Sequence, residues 1–499
     1  MLAFTVPVLD WHAFAPEIVL VATLCVMLIV DVIQLDRARA VIGTIAGLGF
    51  LGALVPIITL ASSDVAVRSM FGGAYVVDQT SLLLKGLFVV SAYVVVLLST
   101  NYVADGDYWE SEYYHTLVAS VIGMTVITSA RDMISIFVAF ELLSMPTYML
   151  ASWRKRDTRS NEAGLKYFLM GVFASGLMLY GMSLLYGWGG STLLSDLAVA
   201  FSKDSSPAVL MGSLMVIVGF GFKVSAVPFH QWAPDTYEGA PTPVTAFLAV
   251  ASKTAGVVGL IQFCALLFGP VQGDLTKATT PMFLILSIAS MLVGNMIALK
   301  QTNLVRMLAY SGIGQAGYIL APFAVIGSDK AADGVVPAVV TYLVIYAAMN
   351  LGAFGVVIAV ARKTRSAEIS SYAGLFHYAP GLTVVMTAFL FSLIGFPPAA
   401  GWYGKFAIFK VLIDADTPAG YTLAIAIVVT STIAAYYYLN VAKTMWFDDV
   451  ADGDTTPIKV VPAVGVALAI AVVITMVLGV FPSLISDAAN FTPMAAAGI

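Results

Sequence analysis

Long apolar stretches recur along almost the whole chain, and each is close to the length that crosses a lipid bilayer. A transmembrane helix needs about 20 mostly apolar residues. Of the 499 residues, 60% are hydrophobic and 11% are charged, whereas a soluble domain carries about 25% charged residues. The sequence therefore predicts an all-α polytopic membrane protein. Fourteen candidate spans cover residues 16–35, 40–61, 79–102, 113–130, 132–152, 161–187, 207–227, 241–268, 281–299, 303–326, 336–361, 379–413, 419–446 and 460–481.

Basic residues are divided unevenly between the two sets of predicted loops. Of the 24 Lys and Arg residues, 13 lie in the loops and span ends that follow odd-numbered spans, 5 in those that follow even-numbered spans, and 6 lie well inside spans. Because cytoplasmic loops carry the excess of Lys and Arg, we expect both termini outside and the Arg154–Arg159 cluster in the cytoplasm. The net charge of −5 argues against nucleic-acid binding by a basic surface. No phosphate-binding glycine motif lies in a strand–helix setting, so no nucleotide or flavin domain is predicted.

Helix-breaking residues interrupt spans 7 and 12. The first break lies in GFGFKVSAVPFHQWAPDTYEGAPTPVTAF, from Gly219 to Phe247, and the second in GFPPAAGWYGKF, from Gly395 to Phe406. Proline inside a helix removes a hydrogen bond, and irregular backbone at membrane depth persists only where protein or water covers it. Both breaks combine Gly-Phe, proline, tryptophan and a nearby lysine.

The two breaks lie five spans apart, and an odd number of spans reverses the direction through the membrane. This relation predicts two inverted five-helix repeats, with coincidental kinks as the alternative. The predicted organisation is a three-helix flank (1–110), a first repeat of spans 4–8 (111–270), a second repeat of spans 9–13 (271–450) and span 14 (451–499).

Six lysines lie inside predicted spans and one acid, Glu141, lies deep within one, where each charge costs several kcal/mol. Glu141 lies about nine residues, or about 13 Å, into its helix, and its side chain is too short to reach an interface. Long lysine side chains can instead extend to the interface. We expect function at Lys223, Lys253 and Lys405, which lie near the breaks, and an auxiliary role at Lys166. Two lysines are placed to extend to an interface: Lys85 and Lys410.

Proton transfer is the chemistry that this set of charges favours. If Glu141 and Lys223 move from about 5 to about 10 Å apart at an effective dielectric near 20, their attraction changes by about 1.7 kcal/mol. Moving one charge against 100 mV costs about 2.3 kcal/mol, so a coupled set of lysines joined by water is predicted rather than one pair.

His230 lies in the first break and is an auxiliary candidate, because histidine titrates near neutral pH; a structural hydrogen bond is the alternative. Asp235 and Glu238 follow it, either along a proton entry path or as solvated loop acids. The two cysteines and four histidines form no CxxC pair or cluster, so no metal or iron–sulfur site is predicted.

The run PFHQWAPDTYEGAPTPVTAFLAVASKTAG, from Pro228 to Gly256, resembles the antiporter-like membrane subunits of NADH-quinone oxidoreductase, respiratory complex I. Its form is similar to subunit N rather than to subunits L or M. The span 10 stretch LVRMLAYSGIGQAGY also resembles this family, and Lys405 stands where subunit M carries glutamate. No long lateral helix is predicted after span 14, unlike subunit L.

This resemblance implies fourteen helices, two inverted repeats and a proton channel driven by distant quinone reduction. Glu141, Lys223, Lys253 and Lys405 match the family's charged residues of spans 5, 7, 8 and 12. Gln315 stands where relatives often carry histidine, so no proton relay is expected there.

The same resemblance implies that this chain holds no redox cofactor. NADH, FMN, iron–sulfur clusters and quinone are expected in partner subunits, and the chain is then part of an enzyme, a proton-translocating NADH:quinone oxidoreductase. Its expected surroundings are the bacterial inner membrane, its lipid bilayer and other membrane-arm subunits, including neighbouring antiporter-like ones. The alternatives are a subunit of a multisubunit cation/proton antiporter, a stand-alone transporter and a structural scaffold. The buried charges argue against the scaffold.

Overall fold

The computed structural model describes residues 9–33, 38–63, 67–104, 110–203, 206–268, 274–450 and 453–489. Nearly all of this part of the chain is helical, which confirms the predicted all-α class. The helices are α1 (Ala15–Ile33), α2 (Ala38–Ala61), α3 (Gln79–Ala104), α4 (Glu110–Ser129), α5 (Met133–Ala151), α6 (Thr158–Gly189), α7 (Leu194–Lys203), α8 (Pro207–Val224), α9 (Trp232–Gly239), α10 (Thr242–Phe247), α11 (Lys253–Leu267), α12 (Asp274–Ala298), α13 (Leu304–Leu320), α14 (Ala332–Thr364), α15 (Leu375–Tyr378), α16 (Pro380–Ile394), α17 (Gly401–Asp414), α18 (Pro418–Phe447), α19 (Pro462–Val480) and α20 (Ser483–Ala489).

Eleven helices in the described ranges are long and apolar enough to cross a membrane. The other three predicted spans correspond to α4, to α13 and to the pair α16–α17. Helix α4 has a more polar N-terminal end, and α13 has 17 residues and continues into a 3₁₀ turn, Ala321–Val325. The polytopic membrane class is thus confirmed, and the predicted count of fourteen depends on these three elements.

Three predicted features fall outside the described residues. These are the boundary between the repeats at residues 270 and 271, the boundary at residue 451, and both chain ends. The side of the membrane on which the chain ends lie therefore stays a prediction.

Two elements were not foreseen from the sequence. A short antiparallel hairpin, β1 (Arg68–Met70) and β2 (Tyr75–Val77), connects α2 to α3. Helix α7 lies between α6 and α8 and buries Leu194, Leu197 and Phe201. The spacing of these residues is that of an amphipathic helix, so the sequence contained the signal for α7.

The two predicted breaks are present and share one backbone geometry. Helix α8 ends at Ser225, in the left-handed region with φ 63°, and α16 ends at Gly395 with φ 93°. In each case the next amide reaches back five residues: Ala226 N–H donates to Gly221 O at 2.9 Å, and Phe396 N–H donates to Phe391 O at 3.0 Å. This hydrogen bond satisfies a carbonyl in the last turn of each helix. The prolines that follow then change the direction of the chain.

Helix packing in the first half of the molecule recurs in the second. Helix α4 packs on α5 as α12 packs on α13, and α6 contacts α8 and α9 as α14 contacts α16 and α17. Helix α11 packs on α4 and α8 as α18 packs on α12 and α16. This recurrence supports the proposed repeats, and α14, which belongs to the second of them, is almost fully buried.

Candidate functional site

Lys223 lies in the last turn of α8, with 1% of its surface exposed. Its Nζ donates to Tyr167 Oη at 2.8 Å, to Ser144 Oγ at 3.0 Å and to Thr147 Oγ1 at 3.4 Å. It also lies 5.4 Å from the centre of the Tyr148 ring. A buried polar group must replace its water by such partners, and these three hydroxyls and the ring supply them for Lys223.

Glu141 lies near the midpoint of α5 and is half-buried. Its carboxylate accepts a hydrogen bond from Ser175 of α6, and no direct ion pair joins it to Lys223 in the part of the chain that the structure describes. Ser144, one helical turn further along α5, accepts a hydrogen bond from Lys223 instead. The predicted ion pair between Glu141 and Lys223 is therefore not formed in this structure.

Tyr167 joins Lys223 to the neighbourhood of Lys253. Its Oη lies 2.8 Å from Lys223 Nζ and 3.5 Å from Ser252 Oγ. Ser252 closes a π-helical segment, Leu248–Ser252, that connects α10 to α11 and directly precedes Lys253. Neither Tyr167 nor Ser252 was expected from the sequence, since one hydroxyl among many in apolar helices has no distinguishing pattern.

Lys253 is 2% exposed, and its Nζ donates to Gly312 O in α13 at 2.6 Å. The Tyr346 ring centre lies 5.9 Å from the same nitrogen. A Cβ at Gly312 would lie 3.0 Å from the ammonium, closer than unstrained contacts allow. The glycine thus lets the lysine of the first half approach the backbone of the second.

Lys405 lies in α17, just after the second break, and is 8% exposed. Its Nζ donates to Ile394 O at 2.8 Å and to Ser431 Oγ at 3.1 Å, and lies 4.8 Å from the Tyr318 ring centre. The helical donor to Ile394 O would be residue 398, a proline without an N–H. The break therefore supplies the carbonyl that holds Lys405.

Helix α13 contacts both Lys253 and Lys405. Gly312 contacts the first lysine and Tyr318 the second, and with five residues between them the two positions lie about 9 Å apart along the helix. Gln315 lies between, accepting from Tyr342 Oη and donating to Leu393 O at 3.3 Å. The Gln315 amide, at the position where relatives often carry histidine, is thus held by hydrogen bonds between the two lysines.

Lys166 does not join the buried lysines. Its side chain is 42% exposed, and its Nζ lies 2.7 Å from both Glu162 Oε1 and Asp235 Oδ2. Asp235 also binds Arg306, which in turn binds Glu238. The predicted auxiliary lysine is therefore part of a charge network at the edge of the protein.

His230 lies in the first break, as predicted, and is half-buried. None of the hydrogen bonds of Lys223 or Lys253 involves it, and its buried Nδ1 has no protein partner within the described ranges. The structure thus places His230 near the end of α8 but does not connect it directly to the lysines.

The expectation that Lys85 extends to an interface is wrong. Lys85 is fully buried, with its Nζ 3.0 Å from Glu17 Oε1 of α1 and 2.9 Å from Tyr75 Oη. Glu17, at 2% exposure, is a buried acid that was not predicted from the sequence, because it stands in the first turn of span 1. Lys410 is exposed on α17, in agreement with its predicted position.

Comparison with known proteins defines the class to which this arrangement belongs. Residues 130–434 match the family model described as NADH:quinone oxidoreductase/Mrp antiporter, TM. In a chain of respiratory complex I from Thermus thermophilus the fold is similar, with a TM-score of 0.79 and 28% identity over 96% of this chain and 100% of that chain. A chain of the Mrp complex from a Dietzia species has a TM-score of 0.84 and 19% identity over 98% of both chains, a likeness of fold alone. The chain is thus an antiporter-like membrane protein.

A curated relative gives the particular group. NADH-quinone oxidoreductase subunit N from Desulforamulus reducens is 39% identical over 457 residues, which are 91% of this chain and 92% of the relative. The chain belongs to the NADH-quinone oxidoreductase subunit N family, as its span 7–8 motif indicated.

Proposed function

We propose that this chain is the proton-translocating, antiporter-like membrane subunit of a NADH-quinone oxidoreductase, and that it couples electron transfer from NADH to quinone with proton pumping. One observation carries this proposal: Lys223, Lys253 and Lys405 are all buried, and Tyr167 Oη lies within hydrogen-bond distance of both Lys223 Nζ and Ser252 Oγ, the residue before Lys253. A purely structural scaffold has no need for three such costly charges.

Protons are proposed to pass along this series of lysines. The hydroxyls of Tyr167 and Ser252 both accept and donate hydrogen bonds, so they can carry a proton from Lys223 as far as Ser252, and water is proposed to complete the path to Lys253. Two ammonium groups in a low-dielectric interior repel each other, so protonation of one lysine favours release from the next. Closing the open Glu141–Lys223 contact would favour the charged form of Lys223, and opening it would favour transfer onward.

Electron transfer is assigned to partner subunits. NADH, FMN, iron–sulfur clusters and quinone are proposed to bind there, with this chain receiving only conformational or electrostatic coupling. Exposed apolar side chains on α5 and α6, including Met145, Met149 and Phe173, suit contact with a neighbouring membrane subunit or with lipid. The excess of basic residues after odd-numbered spans supports a bacterial inner-membrane location with both termini outside.

Membrane vesicles that contain the assembled complex provide the test. Glu141→Ala and Lys223→Ala are expected to abolish or strongly reduce proton uptake per NADH oxidised, because each removes a member of the series. The exposed Lys410→Ala serves as the matched control and should keep wild-type uptake. Wild-type uptake in either Glu141→Ala or Lys223→Ala would overturn the proposal, and uptake of another cation in exchange for protons without NADH would favour the antiporter alternative.

A further inference from the structure

A network of five charged residues connects the two halves of the molecule beside the first break: Glu162, Lys166, Asp235, Glu238 and Arg306. Asp235 of α9 lies 2.7 Å from Lys166 Nζ in α6 and 2.8 Å from Arg306 Nη1 in α13. Arg306 also lies 2.9 Å from Glu238 Oε2, one turn further along α9. Helix α9 is therefore attached by charge to the first repeat through Lys166 and to the second through Arg306.

Helix α9 also carries the side chain that fixes Tyr167. The Trp232 ring stacks on the Tyr167 ring, with 4.3 Å between centres and 15° between planes. Trp232 Nε1 donates to Phe222 O at 3.0 Å, next to Lys223. Trp232 is buried and has its orientation set by these two contacts.

A mechanical connection follows from these contacts. The position of α9 sets Trp232, Trp232 sets the plane of Tyr167, and the Tyr167 hydroxyl is the group that lies between Lys223 and Ser252. A displacement of α9 along the stack would move this hydroxyl, whose 3.5 Å distance from Ser252 is already at the limit of a hydrogen bond.

We propose that Asp235 is a positioning residue for proton transfer between Lys223 and Lys253, because its ion pairs with Lys166 and Arg306 hold α9, and hence Trp232 and Tyr167, in register with both repeats. This inference rests on the proposed function and adds a residue that contacts none of the buried lysines. Asp235 acts through the Tyr167 hydroxyl and carries no proton itself.

The setting of the network indicates how it responds to solvent. The side chains of Lys166, Asp235 and Arg306 are 42%, 32% and 30% exposed, so salt screens their attraction. A polar cavity of about 830 Å³ adjoins the network and is lined by Tyr237 and Glu238 of α9. Raised ionic strength should therefore loosen α9 while leaving the buried lysines unscreened.

The experiment compares variants of the intact complex in membrane vesicles, with proton uptake normalised to NADH oxidation and with the amount of assembled complex measured. Asp235→Asn and Arg306→Gln should each lower this ratio about fivefold at low salt, which corresponds to about 1 kcal/mol. The effect of the double variant should be smaller than the product of the two single effects, since both substitutions remove the Asp235–Arg306 contact. Asp235→Glu keeps the charge and should restore at least half of the wild-type ratio.

The control is Lys330→Gln, which breaks an exposed ion pair of similar length, 2.6 Å to Asp416, away from α9. It should keep both the wild-type ratio and its salt dependence, whereas in the wild type added salt lowers the ratio and in Asp235→Asn it does not. The Lys223→Ala variant separates the two proposals. If that variant loses uptake while Asp235→Asn and Arg306→Gln match the control, the positioning role is refuted and the proposed function stands. If Lys223→Ala keeps full uptake, the proposed function itself fails.

Discussion

Replacing Tyr167 by phenylalanine removes one oxygen atom and leaves the packing in place. The ring remains free to stack on Trp232 and to meet the Tyr148 ring edge-on at 4.7 Å. The lost hydroxyl is the group that lies 2.8 Å from Lys223 Nζ and 3.5 Å from Ser252 Oγ. The variant therefore tests the connection between the first two lysines and not the integrity of the site.

The size of the effect follows from the charge on Lys223. A hydrogen bond to a charged group contributes about 1.5–3 kcal/mol, and each 1.36 kcal/mol added to a barrier slows a step about tenfold. If Tyr167 supports the proton in transit as strongly as it supports the resting ammonium, its loss slows transfer between Lys223 and Lys253 by about 10- to 150-fold. The Ser144 and Thr147 hydroxyls stay in contact with Lys223, so the lysine itself remains solvated.

The assay is the initial rate of NADH-driven proton uptake in vesicles, divided by the rate of NADH oxidation. Tyr148→Phe is the matched control, because the Tyr148 hydroxyl is buried without a hydrogen-bond partner among the described residues. Tyr167→Phe should lose most of the uptake, and Tyr148→Phe should lose little. Equal, near-normal uptake in the two variants would show that protons do not pass through Tyr167.

Two further predictions concern the other buried lysines. Glu17→Gln leaves the ammonium of Lys85 buried without its carboxylate, which should destabilise the protein by about 3–5 kcal/mol and lower its thermal unfolding temperature, while a second change, Lys85→Met, should recover much of the loss; an unchanged unfolding temperature in Glu17→Gln would contradict this. Gly312→Ala places a methyl group 3.0 Å from Lys253 Nζ and should reduce proton uptake per NADH, whereas Gly176→Ala, with open space around it, should not; equal uptake in both alanine variants would show that the close approach to α13 is dispensable.

Local sequence signals predicted the class and the breaks. Apolar runs set the helices because backbone groups in lipid must be satisfied within the segment. The breaks at Ser225 and Gly395 were predictable because prolines follow each within a few residues and act on the adjacent backbone alone. Burial of Lys223, Lys253 and Lys405 was predicted for the same local reason, namely their position in or beside these segments.

Pairing between distant residues was not predictable in the same way. Lys85 and Glu17 lie in different helices, and nothing in either helix indicates that the first turn of α1 lies against Lys85, seven residues into α3. Position along a span suggested that Lys85 would extend to the surface, but tertiary packing of α1, α2 and the β1–β2 hairpin closes that route. The open contact between Glu141 and Lys223 likewise depends on Ser144 and Ser175, whose hydroxyls compete for the two charges.

The buried lysines beside the two breaks have different kinds of hydrogen-bond partner. Lys223 precedes its break and is held by three hydroxyls, which can both accept and donate a proton. Lys405 follows its break and is held by Ile394 O, which only accepts, and by the single hydroxyl of Ser431.

A carbonyl oxygen fixes the ammonium of Lys405 but offers no onward route for its proton. In the proposed function, a proton therefore leaves Lys405 through Ser431 of α18, whose hydroxyl lies 3.4 Å from Tyr318 Oη. The first break then serves transfer between lysines, and the second serves release at one serine. Two breaks with one backbone geometry thus support two different steps, because the lysine stands on opposite sides of the break.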